Sequence, residues 1–146
     1  MKTFGIVILA LFLISPELIL FLAPGLAAGP QERTQSVRPK PTDKEVVWSA
    51  YLAEQMGGTA EYRLPCRCRV DILTADAAWE VEWPTKVSQA IGQAGHYGRA
   101  TGRRGGIILL LGRKPGDREV IQYLHALEGA NAHGLLLRVV DVREGH

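Results

Sequence analysis

The chain has 146 residues, 17 of them lysine or arginine and 15 aspartate or glutamate, for a net charge of +2. A charge so near balance excludes naming a partner from net charge alone, and the length suits one domain. Only two cysteines occur, Cys66 and Cys68, which excludes a disulfide framework.

The first segment differs in composition from the rest. Phe4 to Ala28 is nearly all apolar, interrupted by Ser15, Pro16 and Glu17. Two readings are open. A signal peptide would use Lys2 as its basic start, Phe4 to Ile14 as its apolar core and small residues near Gly25–Ala28 for cleavage. A membrane anchor would use the whole stretch, which is long enough to span. Glu17 would then cost roughly 2.5–3.5 kcal/mol, and Pro16 would kink the helix. Lys2 on one side and Arg33, Arg38 and Lys40 on the other leave the orientation signal nearly even. The expected location is therefore membrane-anchored or exported, with a cytosol-facing domain as one orientation of the anchor. Residues 29–41 are polar and proline-bearing and read as a linker. Residues 42–146 remain for the folded domain, enough to bury one core without disulfides.

Within that domain, Thr42 or Asp43 is placed to cap a first helix. Val47, Ala50, Tyr51 and Glu54 recur at helical spacing, which predicts that Glu54 faces inward. Gly57-Gly58 ends the helix. Thr59 to Leu64 reads as a strand, Pro65-Cys66 as a turn. Arg67 to Leu73 alternates, with Cys68, Val70 and Ile72 on one face and Arg67, Arg69 and Asp71 on the other. After a turn at Thr74–Ala77, Ala78 to Trp83 alternates again. Trp79, Val81 and Trp83 share one face, Glu80 and Glu82 the opposite one. Pro84 suits a helix start, and a helix follows over Thr85 to Thr101, with Gly102 at its end. Gly105 to Leu111 is a continuous apolar run, as in a strand buried on both faces. Pro115 to Leu127 reads as a helix with Val120, Ile121, Leu124 and Leu127 apolar, and Leu135 to Val142 as a closing strand. The predicted order is α-β-β-β-α-β-α-β, an α/β fold with a mixed sheet and helices packed on it.

The chemistry lies around the Thr74–Ala77 turn. If the apolar faces of both flanking strands meet the core, Asp71, Glu80 and Glu82 share the other face. Carboxylates that close raise one another's pKa unless a counter-charge is present. A hard divalent cation supplies one, and Mg²⁺ takes oxygen ligands while keeping several waters. Lys86, Gln93 and Tyr97 follow on the next helix, seven and then four residues apart, within roughly 40° of one another around its axis. They line one edge of the helix that begins just after Glu82, with Gln89 a turn before Gln93. Arg63, Arg67 and Arg69 precede Asp71, and Arg99, Arg103, Arg104, Arg113, Lys114 and Arg118 follow it, clusters that suit a polyanion or an ordinary solvated surface.

The run RVDIL…WEVEWPTKVSQAIGQAGHY resembles the core of the PD-(D/E)XK nuclease superfamily, which includes restriction endonucleases, Holliday-junction resolvases and recombination exonucleases. The resemblance covers nearly all of residues 43–140 and implies a restriction endonuclease-like αβββαβ core. It implies that Asp71 is the motif aspartate and Glu80 the acid of (D/E)-x-K. Gln93 and Tyr97 fit the Gln-x-x-x-Tyr motif of the exonuclease branch, and Glu54 matches an acid that many members carry in their first helix. The expected function is metal-dependent hydrolysis of DNA phosphodiesters with Mg²⁺ or Mn²⁺. Asp71, Glu80 and Glu54 would hold the metal, Glu82 and Lys86 would complete the catalytic set, and Gln89, Gln93 and Tyr97 would contact substrate. Expected partners are DNA, a membrane through residues 4–28 and a second copy of the chain. There is one departure: Glu82 stands where the motif's lysine should be. Some members move that lysine into the following helix, which Lys86 suits. The alternative is a catalytically inactive, membrane-tethered nucleic-acid-binding module on the same fold.

Other residues read as structural. Cys-x-Cys is half of a zinc site at best, and no histidine stands at ligand spacing from it, so Cys66, Cys68, His96, His125 and His133 are taken as structural or surface residues. Trp79 and Trp83 are assigned to the core. Gly105-Gly106 is assigned to a strand, since no P-loop lysine or helix start follows.

Overall fold

The computed structural model describes residues 36–114 and 116–143. The apolar segment 1–28, linker residues 29–35 and Pro115 lie outside the described residues. No helix among the described residues is long and apolar enough to cross a membrane.

The described elements follow the predicted order. They are α1 (Glu45–Gln55), β1 (Thr59–Arg63), β2 (Arg69–Leu73), β3 (Ala77–Glu82), a 3-10 turn (Pro84–Lys86), α2 (Val87–Thr101), β4 (Arg104–Leu111), α3 (Asp117–Ala132) and β5 (Leu136–Asp141). The fold is α/β, with a five-stranded mixed sheet in the order β1-β2-β3-β4-β5 and three helices. β1, β2 and β3 pair antiparallel, as short connections allow; β3, β4 and β5 pair parallel, with α2 and α3 as the crossovers. Both crossovers step the same way across the sheet, so right-handed connection puts α2 and α3 on one face. There Ile91 of α2 lies over Gly129 of α3. α1 covers the other face, where Trp48, Leu52 and Ala53 pack with Ile72, Trp79, Val81, Ile108 and Leu110.

β3 is the central strand, and all six of its residues are buried. Trp79 and Trp83 are core residues as expected. Glu80 and Glu82, although they alternate with them, are buried too: Glu80 faces Tyr97 of α2, and Glu82 lies against Lys86 and Glu45. β4 is buried on both faces from Gly105 to Leu110, matching its unbroken apolar run.

Two expectations need correction. Neither Thr42 nor Asp43 caps α1: Lys44 occupies that position without a side-chain cap, and the Asp43 carboxylate instead accepts the Lys40 N–H at 2.7 Å. The buried face of α1 is Trp48, Ser49, Leu52 and Ala53, with Tyr51 partly buried against that core and Val47 and Ala50 exposed. Burying an indole removes more apolar area than burying a valine, so Trp48 sets the helix rotation and Glu54 turns outward, exposed. In α3, Val120, Ile121, Leu124 and Leu127 are 38–58% exposed, and the buried contacts come from Ala126 and Ala130. Alanines permit the closer approach of that helix to the sheet.

Close approach also fixes α2. A Cβ on Gly105 would run into the Ala94 carbonyl, and one on Gly98 would stand 2.8 Å from the Gly105 nitrogen. Nothing lies within 4 Å of the equivalent position on Gly92, on the same helix. Gly105→Ala is therefore expected to cost about 1–3 kcal/mol by overpacking. Gly92→Ala should gain up to about 1 kcal/mol from helix propensity. Urea unfolding of the two variants checks this; effects of the same sign would refute the close packing of α2 on β4.

Candidate functional site

The site begins where the sheet splits. β1 and β2 stay paired as far as Arg63 and Arg69, and β3 and β4 as far as Glu82 and Leu109. β2 and β3 pair only at Ile72–Trp79 and Leu73–Ala78. Carrying that register one residue further sets Asp71 beside Glu80. There the Asp71 carboxylate accepts the Val81 N–H at 2.8 Å, taking up a backbone donor at the fork.

A cavity of roughly 510 Å³ opens at this fork, lined by Asp71 and Glu80 from the strands, Cys68 and Arg69 from the start of β2, and Gly92, Gln93, His96 and Tyr97 from α2. Glu80 is 5% exposed and its Oε2 has no hydrogen-bond partner; the buried Gln93 Oε1 has none either. The Gln93 amide donates a long bond of 3.5 Å to the Tyr97 hydroxyl. Both orphaned atoms are acceptors, so what would satisfy them is a donor or a cation.

The electrostatics follow from burial. Desolvation lifts the Asp71 carboxyl to about 6, against the pull of the Val81 N–H, with the Glu61 charge adding to the rise. Desolvation, then the charges of Asp71 and Glu82, lift Glu80 to about 8, while the Tyr97 hydroxyl works the other way. The same burial, followed by the Glu80 charge, raises the Tyr97 phenol above its ordinary value. Near neutral pH the Asp71–Glu80 pair thus retains about one proton, held mainly on Glu80, where two solvated carboxylates would have released both.

Glu82 and Lys86 form an adjoining group rather than part of this cavity. The Lys86 ammonium bridges Glu82 at 3.4 Å and Glu45 at 3.3 Å, with its side chain 53% exposed. Glu82 also accepts the Trp83 N–H at 2.9 Å. Burial raises Glu82 to about 7, opposed by the Trp83 N–H and aided by its hydrogen bond with Glu45. The Glu82 charge, opposed by partial burial, raises Lys86. Lys86 lies in the 3-10 turn, so the α-helical spacing that grouped it with Gln93 and Tyr97 begins only after it.

The structure thus brings Asp71, Glu80, Gln93 and Tyr97 around one cavity and sets Glu82 and Lys86 beside them. It does not bring in Glu54 or Gln89. Glu54 is exposed at the far end of α1, and Gln89 is exposed on α2 and does not line the cavity. The acid that α1 contributes is Glu45. It stands nine residues before Glu54, half a turn away around the axis, and no sequence signal beyond that phase separates the two. Glu61 was also missed. It holds a left-handed backbone (φ 57°) inside β1 and pairs with Arg69 at 2.6 Å, its charge bearing on Asp71. Among the described residues, Asp71, Glu80 and Glu82 do not form a trio with carboxylate atoms mutually within 4.8 Å. Any shared cation would rest on two of them.

A second concavity of roughly 540 Å³ runs past Lys86, lined by Trp83 and by Arg113, Lys114 and Arg118 from the β4–α3 region. The Arg113 guanidinium stacks 4.9 Å over the Trp83 ring. Three of the expected basic residues therefore converge here. Arg103 is engaged elsewhere, donating to the Thr74 carbonyl.

No protein-family model, curated protein or solved structure matches the chain.

Raised carboxyl pKa values make a stability signature. The folded chain binds protons that the unfolded chain has released, so this stabilisation is full below the unfolded values of 3.8 and 4.5. It is lost as pH rises through about 6 for Asp71 and about 8 for Glu80. In the presence of chelator, the melting temperature is expected to fall as pH rises from the unfolded values of 3.8 and 4.5 towards about 8. Glu80→Gln should flatten the fall and exceed wild type at high pH by roughly 2–4 kcal/mol. Parallel curves for the two proteins would show that Glu80 does not titrate in this range.

Proposed function

We propose that the chain is a metal-dependent nuclease that hydrolyses DNA phosphodiester bonds. The observation that carries this reading is the Asp71–Glu80 pair at the strand fork, Asp71 partly buried and Glu80 buried, both lining one cavity, with one buried Glu80 oxygen unpartnered. Two such carboxylates ionise together only with a counter-charge, and their oxygens are the hard donors that Mg²⁺ or Mn²⁺ takes. Asp71 and Glu80 would hold the ion. The chemistry it supplies is polarisation of a phosphate oxygen and acidification of water. The likeness of Asp71, Glu80, Gln93 and Tyr97 to the PD-(D/E)XK pattern supports the reading, as does an αβββαβ order compatible with a restriction endonuclease-like core.

The chain's own groups would divide the remaining work. The Val81 N–H fixes one oxygen of Asp71, leaving the other free to coordinate. Gln93 and Tyr97, on the wall facing the carboxylates, carry donors that suit a phosphate or sugar oxygen. Arg113, Lys114 and Arg118 offer a path for the phosphate backbone past Lys86. Lys86 lies between cavity and cleft, neutralising Glu82 and Glu45.

One observation favours the silent relative instead. Glu82 occupies the motif's lysine position, and Lys86 is tied to two carboxylates rather than lining the Asp71–Glu80 cavity. On that reading the domain binds DNA through the basic cleft without cutting it.

Incubating the full chain with duplex, single-stranded and branched DNA in Mg²⁺ or Mn²⁺ separates the two. A nuclease should lose about 100-fold or more of its rate on Asp71→Ala or Glu80→Gln. Lys86→Ala should cost about tenfold at most, since its ion pairs are half exposed. Cleavage equal in wild type and Asp71→Ala would sink the enzyme reading. Salt-sensitive binding without cleavage, with a salt slope lowered by about one for each of Arg113, Lys114 and Arg118 replaced by alanine, would establish the silent one.

A further inference from the structure

The β1–β2 hairpin tip presents a second donor set, chemically unlike the carboxylates. A tight turn spans Leu64 to Cys68: the Arg67 N–H donates to the Leu64 carbonyl and the Leu64 N–H to the Cys68 carbonyl, both at 2.9 Å. Arg67, between the two cysteines, holds the left-handed conformation (φ 66°) that such a three-residue hairpin loop requires at its last position. That kink breaks the alternation an extended Cys-x-Cys would follow. Helix α2 then brings His96 against the pair from 30 residues away, with Cys66 Sγ and His96 Nε2 3.5 Å apart. Among the described residues, this is the group of three or more metal-ligating side chains whose donor atoms lie within 4.8 Å of one another. Both cysteines are free thiols.

The geometry points to a thiolate–imidazole site, formed by Cys66, Cys68 and His96, for one borderline-soft divalent cation of the zinc class. Tetrahedral zinc with Zn–S near 2.3 Å and Zn–N near 2.05 Å has ligand edges of about 3.5–3.8 Å. The Cys66–His96 separation already matches the sulfur–nitrogen edge, and the upper bound on the other two leaves a closure of about 1.3 Å at most. Two sulfurs and an imidazole select zinc over magnesium, as carboxylates select the reverse. The ring of His96 is braced edge-on against Tyr97, with centroids 5.8 Å apart. Three ligands leave the fourth position of a tetrahedral ion to water or another small ligand. Cys68 and His96 also line the Asp71–Glu80 cavity, and Cys66 is exposed. Such an ion would pin the hairpin tip to α2 at the rim of that cavity. The site stands whether or not the carboxylates cut DNA.

Cobalt(II) is the probe. The reduced, metal-free full chain titrated with Co²⁺ should bind one equivalent with sulfur-to-cobalt charge-transfer absorption and the strong visible bands of a four-coordinate ion. Zn²⁺ should abolish these bands stoichiometrically, and a thousandfold excess of Mg²⁺ should leave them. Cys66→Ser, Cys68→Ser and His96→Ala should each weaken Zn²⁺ binding at least 100-fold, whereas Asp71→Asn should leave it unchanged. Cys66 is exposed, so Cys66→Ser keeps the fold, which an unchanged circular dichroism spectrum verifies. Cobalt binding without charge transfer, or charge transfer that survives both cysteine substitutions, would overturn the proposal. So would a Zn²⁺ affinity that Asp71→Asn reduces as much as Cys66→Ser does.

Discussion

The structure turns on one bond, from the Val81 N–H of β3 to the Asp71 carboxylate of β2. Two antiparallel strands that part company leave backbone donors facing a dry interior, and each unpaired donor is costly. Here a side chain takes the place of the partner strand. β2 is then free to continue with β1 and β3 with β4, and the space between them becomes a cavity under α2. Asp71 is held where it is because it stabilises the split that makes the cavity.

Burial then sets the chemistry. Glu80 and Glu82 are both buried on the central strand, Glu80 below a helix that the close contact of Gly98 with Gly105 brings down onto the sheet. Neither can be hydrated as a surface carboxylate is. Each finds a different remedy. Glu82 takes the Trp83 N–H and the Lys86 ammonium and shares a hydrogen bond with Glu45. Glu80 is left beside Asp71 with an unpartnered oxygen. The difference in remedy separates a satisfied structural pair from a site with unfilled capacity. It also explains why Lys86 moves away from the role that spacing alone would give it: Glu82 and Glu45 offer it two carboxylates within reach.

Hard and soft donors lie side by side around the same helix. Carboxylate oxygens line the floor of the cavity, and sulfur and imidazole nitrogen stand at its rim, with His96 and Tyr97 adjacent in sequence on α2. Hardness of donors sorts metals more sharply than affinity alone does, so on the two proposals made above the places would take different ions from one mixture.

The sequence by itself determined the order of the elements, the mixed sheet and the strands that carry the acids. These follow from periodicity: alternation over residues 67–73 and again over 78–83, the apolar run from Gly105 and the helical spacing after Pro84 each have a local cause. It also determined that Asp71, Glu80, Gln93 and Tyr97 are candidates for one site, because strand alternation and helix phase place side chains without knowledge of packing. Only the tertiary structure decided that Glu45 rather than Glu54 comes from α1, since that depends on Trp48 outcompeting Val47 for the interior. It alone decided that Glu80 and Glu82 are buried, because alternation gives a face but not what covers it. And it alone joined His96 to Cys66 and Cys68, which a left-handed Arg67 and a crossover helix bring together from positions that no sequence spacing relates.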